Sequence, residues 1–190
     1  MNFKNQNLKH IKRNHFMKIR ANSASDLQEK ILDQVIISIE KRLYKNSKKR
    51  YVGIYWPLRG EIDLTPLKNI KHLSLALPAV NKKRLITYHA WEEDNLKKDL
   101  LGIPAPLDNP ALKPSQLKML LVPAISIDES GFRLGYGGGY YDQLRSNSEW
   151  FSITSLVVLP NSCISPTILP RDSWDIPFNA AITENGEESF

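Results

Sequence analysis

Residues 131–144 read GFRLGYGGGYYDQL and carry five of the nine glycines of the chain. The apolar run LKMLLVPAISI at 117–127 precedes them and predicts a buried strand, while YYDQLRSN at 140–147 predicts a helical turn or more. Glycines between a strand and a helix let a ligand approach the backbone closely, and free amides at the helix start face an anion. The stretch therefore predicts an anion-binding loop beyond the carboxyl end of a strand in an α/β fold.

Strands alternate with helices along the rest of the chain. Apolar residues recur every four positions within 26–45, which is typical of a helix with one buried stripe, and Ser23 or Ser25 is the predicted N-cap. Strands are predicted at 51–56, 72–78, 84–91, 117–127, 151–160 and 180–186, with a short helix within 60–70. This alternation predicts an α/β fold with three α-β-α layers and a mostly parallel central sheet, as a single domain over 1–190.

The composition is that of an ordinary globular protein, with 42% hydrophobic and 24% charged residues. The single cysteine, Cys163, excludes an internal disulfide and fits a reducing compartment. No apolar run approaches the roughly 18–20 residues that a membrane span needs. We therefore expect a cytoplasmic protein with no membrane partner, in which Cys163 and the four histidines are structural.

Positive charge is concentrated at the amino terminus. Between Met1 and Ser25 there are six lysines and arginines and no acidic residue, in a chain of net charge +6. Four interpretations stay open for this basic helix or arm over about 1–22. It could be a transit peptide, an arm for nucleic acid, a helix whose cations face a small polyanion, or a solvated terminus.

The glycine-rich stretch also contains a cation and a carboxylate. Arg133 presents a fork of donors suited to phosphate oxygens, and Asp142 offers the hard oxygen that Mg²⁺ prefers beside substrate phosphates. The stretch is neither a P-loop, which needs Gly-Lys-Ser/Thr, nor a dinucleotide fingerprint, since Tyr140 stands where its third glycine belongs. The cation, the backbone amides and the carboxylate together predict that the stretch binds a nucleotide phosphate with its metal. The alternative is a glycine-rich turn that binds no ligand.

The same stretch resembles the signature of the 5-formyltetrahydrofolate cyclo-ligases, also called 5,10-methenyltetrahydrofolate synthetases. GEIDLTPL at 60–67, LLVPAISIDESG at 120–131 and LPRDSWDIPF at 169–178 resemble further family segments in the same order. The resemblance covers roughly residues 50–185 and implies an ATP- and Mg²⁺-dependent reaction. In that reaction ATP phosphorylates the formyl oxygen of 5-formyltetrahydrofolate, folate N10 attacks the activated carbon, and 5,10-methenyltetrahydrofolate, ADP and phosphate result.

The resemblance also implies site residues, with Arg133 and Tyr140 as the catalytic pair. Asp142 and Asp175 would hold Mg²⁺, although Asp175 could equally be a turn residue on sequence alone. The implied ATP-binding residues are Lys9, Arg13, Arg133, Leu134, Gly135, Tyr136, Gly137, Gly138, Gly139, Tyr140 and Tyr141. The implied substrate-binding residues are Trp56, Glu61, Tyr136, Gly137, Gly138, Gly139 and Tyr140.

The amino-terminal cations permit two registers of the family's Lys-x-x-hydrophobic-Arg motif. Lys9 and Arg13 have the right spacing, whereas another register would use Lys12. We therefore expect a monomeric cyclo-ligase that binds ATP and a reduced folate and no nucleic acid. The alternatives are a nucleotide-binding relative with another substrate and a basic nucleic-acid-binding protein.

Overall fold

The computed structural model describes residues 3–43 and 50–190. Helix α1, Phe3–Leu43, runs for 41 residues without a break, so the predicted helix start at Ser23 or Ser25 is wrong. Ser23 Oγ donates instead to the carbonyl of Ile19 one turn earlier, at 3.1 Å, as a side chain does within a helix. The basic segment and the amphipathic segment therefore form one helix across the described part of 1–45.

A seven-stranded sheet in the order β12-β11-β9-β6-β1-β2-β3 forms the centre of the fold. Neighbours from β11 to β2 are parallel, and only the edge strands β12 and β3 are antiparallel. The strands are β1 Tyr51–Gly53, β2 Leu75–Val80, β3 Ile86–Ala90, β4 Lys97–Lys98, β5 Pro104–Ala105, β6 Leu117–Pro123, β7 Ser126–Asp128, β8 Arg133–Leu134, β9 Ser155–Val158, β10 Ile164–Ser165, β11 Ala180–Thr183 and β12 Gly186–Ser189. The predicted α/β fold with a mostly parallel central sheet is confirmed.

Alternating residues of the sheet face two apolar layers. Leu75 and Leu77 of β2 pack with the α1 stripe, whereas Ala76 between them packs on the opposite face. Helices α2, Tyr140–Arg145, and α3, Ser148–Phe151, cover that second face. Such alternation follows from the period of two along a strand, and it places a helical layer on each side of the sheet.

The apolar run at 117–127 forms two strands where one was predicted. Strand β6 ends at Pro123, and β7 belongs to a separate three-stranded sheet with β8 and β10. The carbonyl of Ala124 accepts from Arg20 Nη1 at 3.0 Å, and the amide of Ile125 donates to Leu134 at 2.8 Å, so other partners satisfy the backbone at the break. The glycine-rich loop, residues 135–139, therefore directly follows strand β8 of this small sheet.

The remaining short elements agree in part with the sequence. The helix predicted within 60–70 is a 3-10 helix, Thr65–Asn69, and others lie at Pro114–Gln116 and Asn161–Cys163. The strand predicted at 151–160 is shorter, because its first residue ends α3. Within 3–43 and 50–190, no helix combines the length and the hydropathy needed to cross a membrane.

Candidate active site

A cavity of about 540 Å³ lies where α1, the glycine-rich loop and the ends of β2 and β6 meet. Its volume falls within the roughly 300–1,000 Å³ of typical ligand pockets. It is lined by every residue predicted for the site: Lys9, Arg13, Trp56, Glu61, Arg133, Leu134, Gly135, Tyr136, Gly137, Gly138, Gly139, Tyr140, Tyr141, Asp142 and Asp175. The fold thus brings together residues from four separate parts of the chain, while the role of each stays a prediction.

The glycine-rich loop has a backbone that other residues would not adopt. Gly137 and Gly139 have φ angles of 104° and 66°, in the region that glycine favours. At Gly138 a Cβ atom would lie 2.5 Å from the ring of Tyr140, too close for any side chain. The tyrosine ring therefore packs against bare backbone, and residues 136–139 are exposed where they line the cavity.

Arg133 is fixed beside the loop by aromatic rings and a carboxylate. Its guanidinium carbon lies 5.0 Å from the ring centre of Tyr141 and 5.4 Å from that of Phe178, and Nη2 is 3.3 Å from Asp142 Oδ2. Arg133 Nε is buried and has no hydrogen-bond partner among the described residues. A buried donor without a partner is costly, so this nitrogen marks a place where a ligand oxygen would be stabilising.

Gly135 is the position at which a small substitution would disturb Arg133 most directly. A Cβ atom there would lie 2.6 Å from Arg133 Nη1. We expect Gly135→Ala to displace the guanidinium and to lower affinity for a phosphate ligand about tenfold, the cost of one charge-assisted hydrogen bond. Calorimetric titration with ATP checks this prediction, and an affinity equal to that of wild type would contradict it.

Two cations of α1 reach the other side of the loop. Lys9 Nζ lies 2.8 Å from Asp172 Oδ2 and 2.6 Å from Asp175 Oδ2, and Arg13 Nε donates to the carbonyl of Gly135 at 2.7 Å. Burial lowers the pKa of Arg13, whereas Asp175 and Asp172 act to raise it. Lys12 instead approaches Thr167 Oγ1 at 3.4 Å and does not line the cavity. These contacts favour the register that uses Lys9 and Arg13.

Glu61 contributes a buried carboxylate to the wall of the cavity. Only 2% of its side chain is exposed, and Oε2 accepts from the amide of Leu58 at 2.8 Å. Oε1 makes no hydrogen bond of ordinary geometry within the described residues, although Arg20 Nη1 is 4.0 Å away and the Tyr136 hydroxyl approaches the same carboxylate. Burial raises the pKa of Glu61, and the Leu58 amide, Arg20 and the Tyr136 hydroxyl only partly offset the effect. An N–H donor of a ligand would satisfy this oxygen.

Trp56 lines the same cavity as Glu61 and contributes an aromatic surface to it. Its ring stands edge-to-face against that of Trp91, with the ring centres 6.1 Å apart, and this contact fixes its orientation. An oriented indole and a buried carboxylate in one cavity suit a flat, hydrogen-bonding heterocycle.

Arg20 contacts two residues of the cavity wall, and the sequence-based prediction missed it. It is 4% exposed, and its Nη2 donates to the hydroxyl of Tyr136 while Nη1 faces Glu61. The stripe of α1 continues backwards from Leu27, at spacings of three or four residues, through Ala24, Arg20, Phe16, Arg13 and Lys9. The incorrect helix start separated these cations from the buried stripe in the prediction. Asp172 and Trp174, which line the cavity, were missed as well.

The two carboxylates predicted to hold metal, Asp142 and Asp175, are each paired with a cation. Among residues 3–43 and 50–190, no group of three or more His, Cys, Asp or Glu side chains is close enough to hold a metal by itself. Mg²⁺ commonly binds through one or two carboxylates together with substrate phosphates. Two carboxylates in a cavity that also contains hydrogen-bond donors suited to phosphate oxygens therefore fit a metal that enters with its nucleotide.

Comparison with known proteins agrees with this geometry. A sequence model of the 5-formyltetrahydrofolate cyclo-ligase family matches residues 5–184. The chain is 28% identical to the 5-formyltetrahydrofolate cyclo-ligase of Haemophilus influenzae over 174 residues, which is 87% of this chain and 91% of the relative. It is 30% identical to that of Escherichia coli K12 over 142 residues, which is 70% of this chain and 76% of the relative.

Two solved structures share the fold. The NMR structure of Aquifex aeolicus 5,10-methenyltetrahydrofolate synthetase superposes with a TM-score of 0.77 at 30% identity, covering 96% of this chain and 92% of that one. The Mycoplasma pneumoniae 5,10-methenyltetrahydrofolate synthetase gives a TM-score of 0.70 at 18% identity, covering 93% and 98%, and so supports the fold alone. The family match and the E. coli relative confirm the resemblance first seen in the glycine-rich stretch, and the chain belongs to the 5-formyltetrahydrofolate cyclo-ligase family.

Proposed function

We propose that this chain catalyses the ATP- and Mg²⁺-dependent cyclisation of 5-formyltetrahydrofolate to 5,10-methenyltetrahydrofolate. One observation carries the proposal: the cations around the glycine-rich loop, which suit phosphate oxygens, and the buried carboxylate of Glu61 line the same cavity. A triphosphate at one end and a reduced pterin at the other would place the reacting groups in contact, and such positioning supplies much of the catalysis in phosphoryl transfer.

The nucleotide would lie against the glycine-rich loop. Loop amides, Arg133 and Arg13 would donate to its phosphate oxygens, and Arg133 Nε would gain the acceptor that it lacks in the free protein. The leaving ADP and the transferred phosphoryl group both carry negative charge in the transition state. Fixed cations and amides stabilise that charge without having to reorganise.

Two ion pairs would exchange partners when the nucleotide and its metal bind. In the free protein Arg133 pairs with Asp142, and Lys9 pairs with Asp175. Phosphate oxygens would take over both cations, and the released carboxylates would become available to Mg²⁺. The bound metal would neutralise phosphate charge as a Lewis acid. Each of these two carboxylates already pairs with a cation, so binding the metal and the nucleotide together avoids leaving either sign uncompensated.

The folate would lie at the end of the cavity formed by Trp56 and Glu61. Glu61 Oε1 would accept an N–H of the pterin, and the indole of Trp56 would lie against the heterocycle. Tyr136 would contact both ligands, because it belongs to the glycine-rich loop and its hydroxyl lies next to Glu61. These contacts would orient the formyl oxygen towards the terminal phosphoryl group.

The reaction needs no covalent nucleophile from the protein. The formyl oxygen would attack the terminal phosphorus of ATP and release ADP, and folate N10 would then attack the formyl carbon. The C–O bond breaks as phosphate leaves, because phosphate is a far better leaving group than an amide-like oxygen. Arg133 and Tyr140, both on the cavity wall, would neutralise the transferred group and hold it in place.

Glu61→Gln should weaken folate binding while stabilising the protein at alkaline pH. The raised pKa means that the folded protein holds this proton more tightly than the unfolded chain, whose reference value is 4.5. Wild-type stability therefore falls as pH rises from about 4.5 through the raised pKa, whereas glutamine has no proton to lose. We expect the melting temperature of Glu61→Gln to exceed that of wild type at pH 8 by more than at pH 5.

The same variant should raise the KM for 5-formyltetrahydrofolate about tenfold, the effect of losing one charge-assisted hydrogen bond. Melting curves and initial rates measure the two effects, and Glu29→Gln, exposed on α1, is the matched control. An unchanged folate KM, or a melting difference that does not grow with pH, would contradict the place given to Glu61.

A turnover assay tests the proposal as a whole. Purified protein with ATP, Mg²⁺ and 5-formyltetrahydrofolate should produce the absorbance of the methenyl product, and omission of any one component should abolish it. Nucleotide binding without product would favour the alternative of a relative with another substrate. Polynucleotide binding that falls steeply with salt, together with no product, would favour a nucleic-acid-binding protein.

A further inference from the structure

Arg145 is a buried cation that the proposed reaction does not use. It is the last residue of α2, is 2% exposed, and does not line the cavity. Burial lowers its pKa to about 10, with a further lowering by Arg133, so it stays charged at neutral pH. Removing a guanidinium from water is costly, and its Nε has no hydrogen-bond partner among the described residues. Because burying this guanidinium is costly, we expect Arg145 to have a specific role.

The contacts of Arg145 join two segments that carry different carboxylates of the cavity. Its Nη1 donates to the carbonyl of Ile176 at 3.2 Å, and its guanidinium carbon lies 4.1 Å from the ring centre of Phe178. Ile176 directly follows Asp175, and Arg145 lies three residues after Asp142 on the same helix. Among the described residues, no other hydrogen bond joins α2 to residues 172–178.

The segment 172–178 depends on such side-chain contacts because it contains no helix or strand. Lys9 holds one side of it through Asp172 and Asp175, and the amide of Phe178 donates to the carbonyl of Gly131 at 2.8 Å. The contact with Lys9 is one of those that would open when nucleotide binds. The contact with Arg145 lies behind the cavity and would persist.

We propose that Arg145 is a positioning residue that ties the helix carrying Asp142 to the segment carrying Asp175, and so sets the spacing of the two carboxylates offered to the metal. The inference rests on the proposed function, because it assumes that both carboxylates serve one ion. A flat guanidinium suits this task, since it can stack on Phe178 and donate to a backbone carbonyl at the same time. Groups that orient metal ligands from behind typically change metal affinity 10- to 100-fold when removed.

Arg145→Met tests this tether, the contact of Arg145 with Ile176 and Phe178. The variant keeps a long apolar stem against Phe178 and removes both the charge and the donors. Mn²⁺, followed by its electron paramagnetic resonance signal, is titrated into protein that holds a non-hydrolysable ATP analogue, and binding of the same analogue without metal is measured separately. We expect Mn²⁺ affinity to fall about tenfold, while metal-free nucleotide affinity changes less than about twofold. Gln143→Met, exposed on the same helix, is the matched control and should resemble wild type.

Arg145→Lys separates the tether from a simple effect of charge and also carries the test if Arg145→Met does not fold. Lysine keeps the charge but loses the stacked fork, so the tether predicts an affinity for Mn²⁺ below that of wild type. Titrations of these variants that overlay wild type would overturn the inference, as would an equal loss of metal-dependent and metal-free nucleotide binding. If wild type itself shows no metal-dependent binding of the analogue, the proposed function fails and the tether fails with it.

Discussion

Arg133→Ala should lower kcat/KM for ATP by at least tenfold and leave the protein folded. The substitution removes a guanidinium that would donate one or two charge-assisted hydrogen bonds to phosphate, each worth about 1.5–3 kcal/mol, or roughly 10- to 150-fold in rate. The fold should survive because Arg133 borders an open cavity and its ion-pair partner, Asp142, keeps 17% of its side chain in contact with solvent.

Initial rates over a range of ATP concentrations, with melting curves alongside, measure this effect. Lys30→Ala removes a cation from an exposed position on α1 and is the control for net charge. Arg133→Lys should recover part of the loss, since it restores the charge without the fork. A variant with wild-type kcat and KM for ATP would show that the nucleotide phosphates lie elsewhere.

Asp142→Asn should raise the Mg²⁺ concentration needed for half-maximal activity by about tenfold or more. Asparagine has the same shape and can still accept from Arg133, so the loop geometry should be retained, whereas a neutral amide is a weaker ligand for a hard cation than a carboxylate. Groups that merely orient metal ligands already contribute about tenfold. At saturating Mg²⁺ much of the activity should therefore return.

Magnesium titrations at fixed, saturating ATP check this prediction. Asp108→Asn is the matched control, because Asp108 also pairs with a cation, Lys97, but lies outside the cavity. Superimposable titration curves for wild type and Asp142→Asn would mean that the carboxylate serves only to hold Arg133.

The local chemistry of the site could be predicted from sequence because it depends on residues close together in the chain. Glycines at 137 and 139 are needed for their backbone angles, and Arg133 and Asp142 flank them within one short stretch. The central parallel sheet could also be predicted, since its strands are short apolar runs separated by turn residues. Such signals do not require knowledge of distant contacts.

The break at Ala124 could not be predicted, because long-range contacts decide it. An unbroken apolar run from 117 to 127 gives no sign that Arg20, more than a hundred residues earlier, accommodates the backbone between two strands.

The continuity of α1 was missed because a local signal for a helix start is present, but tertiary packing overrides it. Ser23 and Ser25 are good N-cap residues, but the preceding turns bury Phe16 and Arg20, and this packing favours helix on both sides of the serines.

The burial of Arg145 could not be predicted for the same reason. The sequence places an arginine in the last turn of a short helix, where cations commonly face solvent and the carbonyls of the helix end. Only the fold brings Phe178 against it and makes it a buried contact between two segments of the site. The burial of such charged residues depends on tertiary packing, and it could therefore not be predicted from the sequence.

A crystal structure of the protein with Mg²⁺ and a non-hydrolysable ATP analogue tests the central claim most directly. The account predicts that the triphosphate lies along residues 135–139, that Arg133 leaves Asp142 for a phosphate oxygen, and that Asp142 and Asp175 both face one metal ion. A triphosphate bound outside this cavity, or a loop whose amides are covered by other parts of the protein, would contradict it.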